Sequence, residues 1–290
     1  MDQKKLDKEY KSRLKNETTK IKTLKNISKS DNYANKKNIK LLIKGLCDTN
    51  GLVRRSYAEE LGKIGRATLP ELINTLENSK NVIQRRAAAK TLKLVKDPSA
   101  LPHLIKALTN DSDSVVQCSA AGAIAIFGEA AVKHLIIVLE SKEHTEMQHG
   151  LASWCLAFAG VNAPHAIKKA ASSKNTKVKS AAIAALEDYI RESQDQEAIE
   201  LVEAAFNHSD ENVQIEAIKL VGKLNKIESL IPILISKLSN KSPEIRRATL
   251  LSLMQLNIKE SLKQIKGLLE VEKDTNVKKI IKLAIKNIDK

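Results

Sequence analysis

The chain has 290 residues, 3% of them aromatic, with 10 glycines and 6 prolines, and a formal net charge of +15. So little aromatic, glycine and proline excludes a β-sandwich or barrel, whose strands and turns draw on those residues, and a composition rich in Ala, Leu, Ile, Lys and Glu favours helix. Cys47, Cys118 and Cys155 form no CxxC pair and have no histidine at metal-ligand spacing, which excludes a disulfide framework and a zinc site and suits a reducing cytoplasm.

The N-terminal segment comes first. Residues 1–44 hold 14 Lys/Arg against 5 Asp/Glu, so +9 of the net charge lies there. The basic residues alternate with Asn, Thr and Ser and include one Arg, the pattern of a solvated Lys-rich helix rather than a nucleic-acid arm. Leu6, Tyr10, Leu14, Ile21, Leu24 and Ile27 predict an amphipathic helix within 1–38 that caps the first repeat. The segment is charged from residue 2 and has no apolar signal-peptide core. The run Ala120 to Phe127 is too short to span a bilayer. A cytoplasmic protein without membrane insertion is expected.

From residue 39 to 290 the chain repeats. LVRRSYAEELGKIG, VIQRRAAAKTLKLV and EIRRATLLSLMQL share an apolar residue, a basic pair and apolar positions at helical spacing. With the first basic position as anchor, the series is Arg54, Arg85, Gln117, Gln148, Lys179, Gln214, Arg246 and Lys278. The intervals are 31, 32, 31, 31, 35, 32 and 32, the long one holding a polar insertion at Arg191 to Gln196. Seven residues on stand Leu61, Leu92, Ile124, Cys155, Leu186, Val221, Leu253 and Ile285. Ten residues on stand Ile64, Val95, Phe127, Phe158, Tyr189, Leu224, Leu256 and Ile288. All are apolar or aromatic. A second apolar helix precedes each anchor (LPELINTL, LPHLIKAL, VKHLIIVL, LIPILISKL), with Pro70, Pro102 or Pro232 at its start in several repeats. Asp48, Asn78, Asp111, Asp113 and Asp210 between the helices suit N-caps. Each unit is thus helix A, a tight turn and helix B. One pair cannot bury its own apolar face, so eight pairs stack into an all-α solenoid of HEAT type.

Function is expected on the inner face, which the B helices usually line. The core stripe centres between anchor+4 and anchor+7, so anchor+2, +5 and +9 point away from it. In repeats 1, 2 and 6 these positions are ordinary solvated ones. In repeats 3 to 5 they are Ser119, Gly122, Ile126; Gly150, Ser153, Ala157; and Ala181, Ala184, Asp188. Glycine inside a helix costs about 1 kcal/mol relative to alanine, and a floor of small residues makes room for a flat apolar ligand, or else for the N-terminal helix or a second subunit to cover it. One residue after the anchors runs a rim of Arg55, Arg86, Cys118, His149 and Ser180. Trp154, at anchor+6, falls half-exposed beside the floor, whereas Cys155 takes a core position. His103, His134 and His165 lie in or near A helices. No triad, P-loop or dinucleotide fingerprint is present, and without a His-Glu dipeptide the chain lacks the ligand pairs of HEAT-repeat di-iron hydroxylases.

The blocks VIQRRAAAKTLKLVKDPSALPHLIKALTNDSDSVVQCSAAGAIAIFGEAAV (Val82 to Val132) and HGLASWCLAFAG (His149 to Gly160) resemble the HEAT-repeat phycobilin lyases of cyanobacteria, the phycoerythrin-directed members above all. The resemblance implies a lyase, with or without isomerisation, that attaches phycoerythrobilin through a thioether to a cysteine of an apo-phycoerythrin subunit. It implies no permanently bound cofactor, the bilin being substrate, and leaves room for a second lyase subunit as partner. On that reading the floor of Ser119, Gly122, Gly150, Ser153 and Ala157, with Cys118 at its rim, receives the pigment plane. Trp154 stacks on a ring and Arg86 pairs a propionate. Asp188 holds the pyrrole nitrogens, and His149 relays protons as the thiol adds to the ring-A ethylidene group. Two other classes remain open. One is a non-enzymatic phycobilisome chaperone or scaffold; the other, a DNA-binding HEAT protein, needs a basic inner surface that repeats 3 to 5 lack.

Overall fold

A computed structural model describes residues 18–22, 24, 32–160, 162–224 and 227–289. Among these the chain is all-helical, with a helical stretch over 18–22, seventeen α-helices from Lys36 onward and short 3-10 turns. It divides into two compact units, Met1–His134 and Leu135–Lys290.

The first unit holds three helix pairs: α1 (Lys36–Gly45) with α2 (Gly51–Ile64), α3 (Leu69–Asn78) with α4 (Val82–Val95), and α5 (Leu101–Asn110) with α6 (Ser114–Ile124). The helix α7 (Glu129–Glu140) crosses the division, and α8 (Glu146–Gly160), next in the chain order of the fourth repeat, belongs to the second unit. The second unit continues with α9 (Pro164–Ala171) and α10 (Thr176–Ala185), then an extra short helix α11 (Glu187–Ser193), where the long interval falls. Then come α12 (Gln196–Phe206) with α13 (Glu211–Lys223), α14 (Ile231–Ser236) with α15 (Pro243–Gln255), and α16 (Leu262–Val271) with α17 (Thr275–Ile288). Eight A–B pairs in the expected order make this an α-solenoid of HEAT-like repeats.

The A helices bury a narrow stripe, as Leu69, Leu72 and Leu76 in α3 and Leu101, Leu104 and Leu108 in α5 show. Their prolines stand in the first turn, where no backbone N–H is needed. The B helices bury the anchor+7 residue in seven of the eight repeats, Ile285 being only half-buried. The anchor+10 positions are mostly half-buried, and Phe158 is 57% exposed, a departure from the core role its register predicts. The caps also differ in part. Asp113 and Asp210 cap α6 and α13, but the other B-helix caps include Asn50, Asn81, Asn175, Ser242 and Asp274. Asp48 and Asp111, two residues earlier, instead accept the backbone N–H of Asn50 and Asp113 and pair with Lys20 and Arg85.

The anchor residues have a specific job. Arg54, Arg85, Gln117, Gln214 and Arg246 each donate to the backbone carbonyl six residues earlier, at Asp48, Ser79, Asp111, His208 and Asn240. This clasps the A–B turn onto the B helix. Two anchors also reach the next repeat: Arg85 makes a bidentate pair with Asp111, and Arg246 with Glu272.

At the N-terminus, Leu24 is buried and Lys20 pairs with Asp48 at the first A–B turn. Leu6, Tyr10, Leu14 and Ile27 of the predicted capping helix lie outside the described residues.

Two predictions follow from packing. The Glu272 side chain is 1% exposed, and its bonds from Arg246, with backbone N–H groups of Asp274 and Lys273, hold its carboxyl at about 2 against an ordinary 4.5. Because the folded value lies below the unfolded one, the stabilisation is present at neutral pH and is lost as pH falls from 4.5 towards 2. It is on the order of 3 kcal/mol. Glu272→Gln should flatten the acid limb of a thermal-midpoint-against-pH curve and speed amide exchange in α17; an unchanged acid limb would refute the assignment. The glycines supply the second prediction. A Cβ on Gly160 would collide with the Ala185 carbonyl oxygen, whereas one on Gly122 or Gly150 meets nothing within 4 Å. Gly160→Ala should therefore lower the melting temperature, while Gly122→Ala and Gly150→Ala should raise stability by about 0.5–1 kcal/mol each.

Candidate functional site: a groove on the B helices of repeats 4 to 6

In the second unit the exposed faces of α8, α10 and α13 form a groove of about 400 Å³. Its floor is Gly150 and Ser153 from α8 and Ser180, Ala181 and Ala184 from α10. These side chains are small, so the two helices approach without filling the space above them. Leu139 contributes an apolar wall, and Glu146, His149, Lys177, Asp210 and Glu216 supply the polar groups. A groove of this size, apolar below with a few convergent polar atoms, has the proportions of a small-ligand site.

His149 differs from its expected place on an exposed rim. It is 5% exposed. Its Nε2 lies 2.9 Å from the Ser141 carbonyl oxygen, so that nitrogen carries the proton, and its Nδ1 lone pair faces the Lys177 ammonium at 2.9 Å. The ring thus has both nitrogens engaged and no N–H turned to the groove. Lys177 also donates to Glu146 at 2.9 Å, which holds the Glu146 carboxyl below its ordinary range. Glu146 and Lys177 occupy the same register position, two residues before the anchor, on neighbouring B helices, which is why they meet. That position was not among those singled out from the sequence. In repeats 1 to 3 it carries the exposed apolar residues Leu52, Ile83 and Val115, so the change to charged side chains at repeats 4 and 5 was there to be read.

Asp188 is also misplaced by the register. Helix α10 ends at Ala185, and Asp188 sits exposed in the first turn of α11, paired with Arg191, not among the groove residues. The anchor+9 reading assumed one continuous helix, and the break at Leu186 ends it. The acids that line the groove are Glu146, Asp210 and Glu216. Asp210 caps α13, and Glu216 pairs with Lys219 at 2.7 Å.

Trp154 is 45% exposed on α8, and its ring centroid lies 4.6 Å from that of Phe158. Ala157 is half-buried between them in sequence. Cys155, one residue from Trp154, is fully buried, and burial pushes its thiol up to about 12. It is inert core.

The remaining candidates belong to the first unit. Cys118 is exposed. Gly122 is half-buried with open space where a Cβ would stand. Ser119 is 8% exposed and spends its hydroxyl proton on the Val115 carbonyl, so its donor is not free for a ligand. Arg86 is committed as well. Its guanidinium forks onto Asp113 through contacts of 3.0–3.1 Å, and Asp113 caps α6 at the same time. The bidentate carboxylate partner expected for Arg86 is therefore internal.

Among the described residues no helix is long and apolar enough to cross a membrane. The family model for HEAT repeats matches residues 69–157 and 200–286, more than half of the chain. The bilin biosynthesis protein MpeU of Synechococcus sp. (strain WH8020) is 35% identical over 246 residues, covering 85% of this chain and 83% of that protein. Among solved structures, Kap121p superposes with a TM-score of 0.60 at 14% identity, over 87% of this chain and 34% of that one, a likeness of fold alone. The complex of CpcE and CpcF of phycocyanin lyase from Nostoc sp. PCC7120 gives a TM-score of 0.35 at 20% identity, over 86% of this chain and 94% of that chain. The repeat register, the eight helix pairs and the 35% identical relative together place the chain in the HEAT-repeat family of phycobilin lyases and bilin biosynthesis proteins.

Proposed function

We propose that this protein is a bilin lyase that lays phycoerythrobilin on the groove of repeats 4 to 6 and attaches it to a cysteine of an apo-phycoerythrin subunit. The observation that carries the reading is the open space above Gly150, in a groove floored by small residues of a chain 35% identical to a bilin biosynthesis protein. A helix gives up stability to hold glycine there, and among the described residues nothing uses the room. A flat tetrapyrrole would. Trp154 and Phe158 offer aromatic faces on the same helix. The role first assigned to Asp188 passes to Glu216, an acid that lines the groove and suits pyrrole N–H donors.

In the reaction the acceptor thiol adds across the ring-A ethylidene double bond. Sulfur bonds to the exocyclic carbon and the thiol proton ends on the pigment. The protein's contribution is orientation of pigment against acceptor, an effect that can supply several orders of magnitude in rate. Cys155 takes no part, since a buried thiol held at about 12 is not a nucleophile at neutral pH. The acceptor subunit is the partner this reading requires, and a second lyase subunit is one it allows, in the cytoplasm.

The test is co-expression with phycoerythrobilin synthesis and separate apo-phycoerythrin subunits. Covalent fluorescence on one subunit that depends on this protein is the expected result. Its absence with every subunit, while free pigment still binds, would leave a non-enzymatic chaperone. Gly150→Leu should abolish pigment binding while leaving the helical circular-dichroism signal and melting profile intact; undiminished binding would refute the groove.

A further inference from the structure

The groove is lined by three carboxylates and a single cation, so what that cation does decides which end of a ligand lies where. Resting on the bilin reading above, we propose that Lys177 is the carboxylate anchor of the groove and that buried His149 is its positioning residue. The ligand class is a flat, conjugated molecule carrying a carboxylate side arm, such as a propionate.

Three observations support this. First, the Lys177 ammonium is held by a neutral acceptor. The Ser141 carbonyl fixes the proton of His149 on Nε2, which leaves Nδ1 as a lone pair 2.9 Å from Lys177 Nζ. A buried carboxylate in that place would cancel the charge of Lys177, whereas an imidazole lone pair orients the ammonium and leaves its charge intact. Second, the other partner of Lys177 is readily exchanged. Glu146 is 88% exposed at its side chain, and such solvent-facing pairs contribute little, so an incoming carboxylate displaces it at small cost. Third, the cations on the adjacent α13 have less exposed partners: Lys219 and Lys223 pair with Glu216 and Glu187, whose side chains are 30% and 24% exposed. An ammonium has three N–H donors. Two of those on Lys177 have partners here, so a ligand carboxylate adds a bond and takes over the one to Glu146.

Lys177 at one edge and Glu216 at another would give the bound pigment a direction. The propionate side goes to α10, and the pyrrole N–H groups go to α13.

The test uses purified full-length protein with two probes, biliverdin and its dimethyl ester, in which both propionates are masked. Wild type should bind both, the free acid more tightly. Lys177→Met, at an exposed position that does not threaten the fold, should weaken biliverdin about ten- to hundredfold and leave the ester unchanged. Lys177→Arg should restore most of the loss. Equal binding of biliverdin by wild type and Lys177→Met would overturn the anchor. An equal loss for acid and ester would overturn the carboxylate assignment, since only shape would then be at stake. Binding of neither probe by wild type would overturn the bilin reading itself. For the positioning role, the ¹⁵N shifts of His149 should report an unprotonated Nδ1 and a protonated Nε2, with the Nδ1 signal moving in Lys177→Met. In addition, His149→Phe combined with Lys177→Met should be no weaker than Lys177→Met alone; additive losses, or an Nδ1 signal that does not respond, would refute it.

Discussion

The structure leans on one hydrogen bond that recurs in five of the eight repeats, from the anchor side chain of the B helix back to the A–B turn. A turn between two helices leaves carbonyls of the first and N–H groups of the second without helical partners. The Asn, Asp or Ser cap satisfies the N–H groups, and the anchor satisfies a carbonyl six residues upstream. The two devices act on the same few residues and fix the angle at which helix A returns against helix B. Since each pair buries its apolar face only against its neighbours, that angle must be nearly the same in every repeat. The 31- or 32-residue spacing and the anchor residues are two expressions of this constraint.

The clasp needs a donor but no charge, and this freedom connects the fold to the site. Arg54, Arg85 and Arg246 clasp with a guanidinium, whereas Gln117 and Gln214 clasp with a neutral amide. In the fourth repeat Gln148 instead exchanges bonds with Thr145, its Oε1 accepting the Thr145 backbone N–H at 2.8 Å. There the neighbouring His149 donates to the turn, at Ser141. Handing the clasp to histidine has a consequence that neither Arg nor Gln would have. Once Nε2 is occupied, the ring presents a fixed lone pair to its other side, and Lys177 takes it. A structural bond of the repeat thereby becomes the support of the groove's one cation.

Most of the fold was legible because the solenoid repeats its instructions. Anchor+7 identified the core and the first-turn prolines marked the A helices, while the long interval was read as a polar insertion at Arg191 to Gln196 and the short helix Glu187–Ser193 was not foreseen. The half-exposure of Trp154 and the burial of Cys155, adjacent residues with opposite environments, followed from the same register. What escaped was whatever depends on partners rather than on position. Arg86 reads as a free fork until Asp113 is seen to hold it, and Ser119 reads as a polar surface residue until its hydroxyl turns back to the helix. Asp188 was placed by extending a helix past its end, an error the propensity of LEDYIRES does nothing to discourage. Of the proposed caps, Asp113 and Asp210 hold, whereas Asp48 and Asp111 fall two residues early because they are acids of the turn with a different task.

The placement of Lys177 bears on why a site would arise here and not in the first unit. There the position two residues before the anchor carries Leu52, Ile83 and Val115, all exposed, and the cations beside them are engaged: Arg54 by turn carbonyls, Arg55 by Glu59, Arg86 by Asp113. A groove of about 670 Å³ lies there too, with Lys90 in its lining, but it presents exposed aliphatic side chains where repeats 4 and 5 present an ion pair. In repeats 4 and 5 the same position becomes Glu146 and Lys177 while the floor beside it shrinks to glycine, serine and alanine. Room and orientation therefore come together at one place in the repeat. Each change is a single substitution in a repeating unit, and the buried anchor+7 stripe need not alter. A solenoid can acquire a ligand groove in this way because its stability is carried by positions other than those that face the groove.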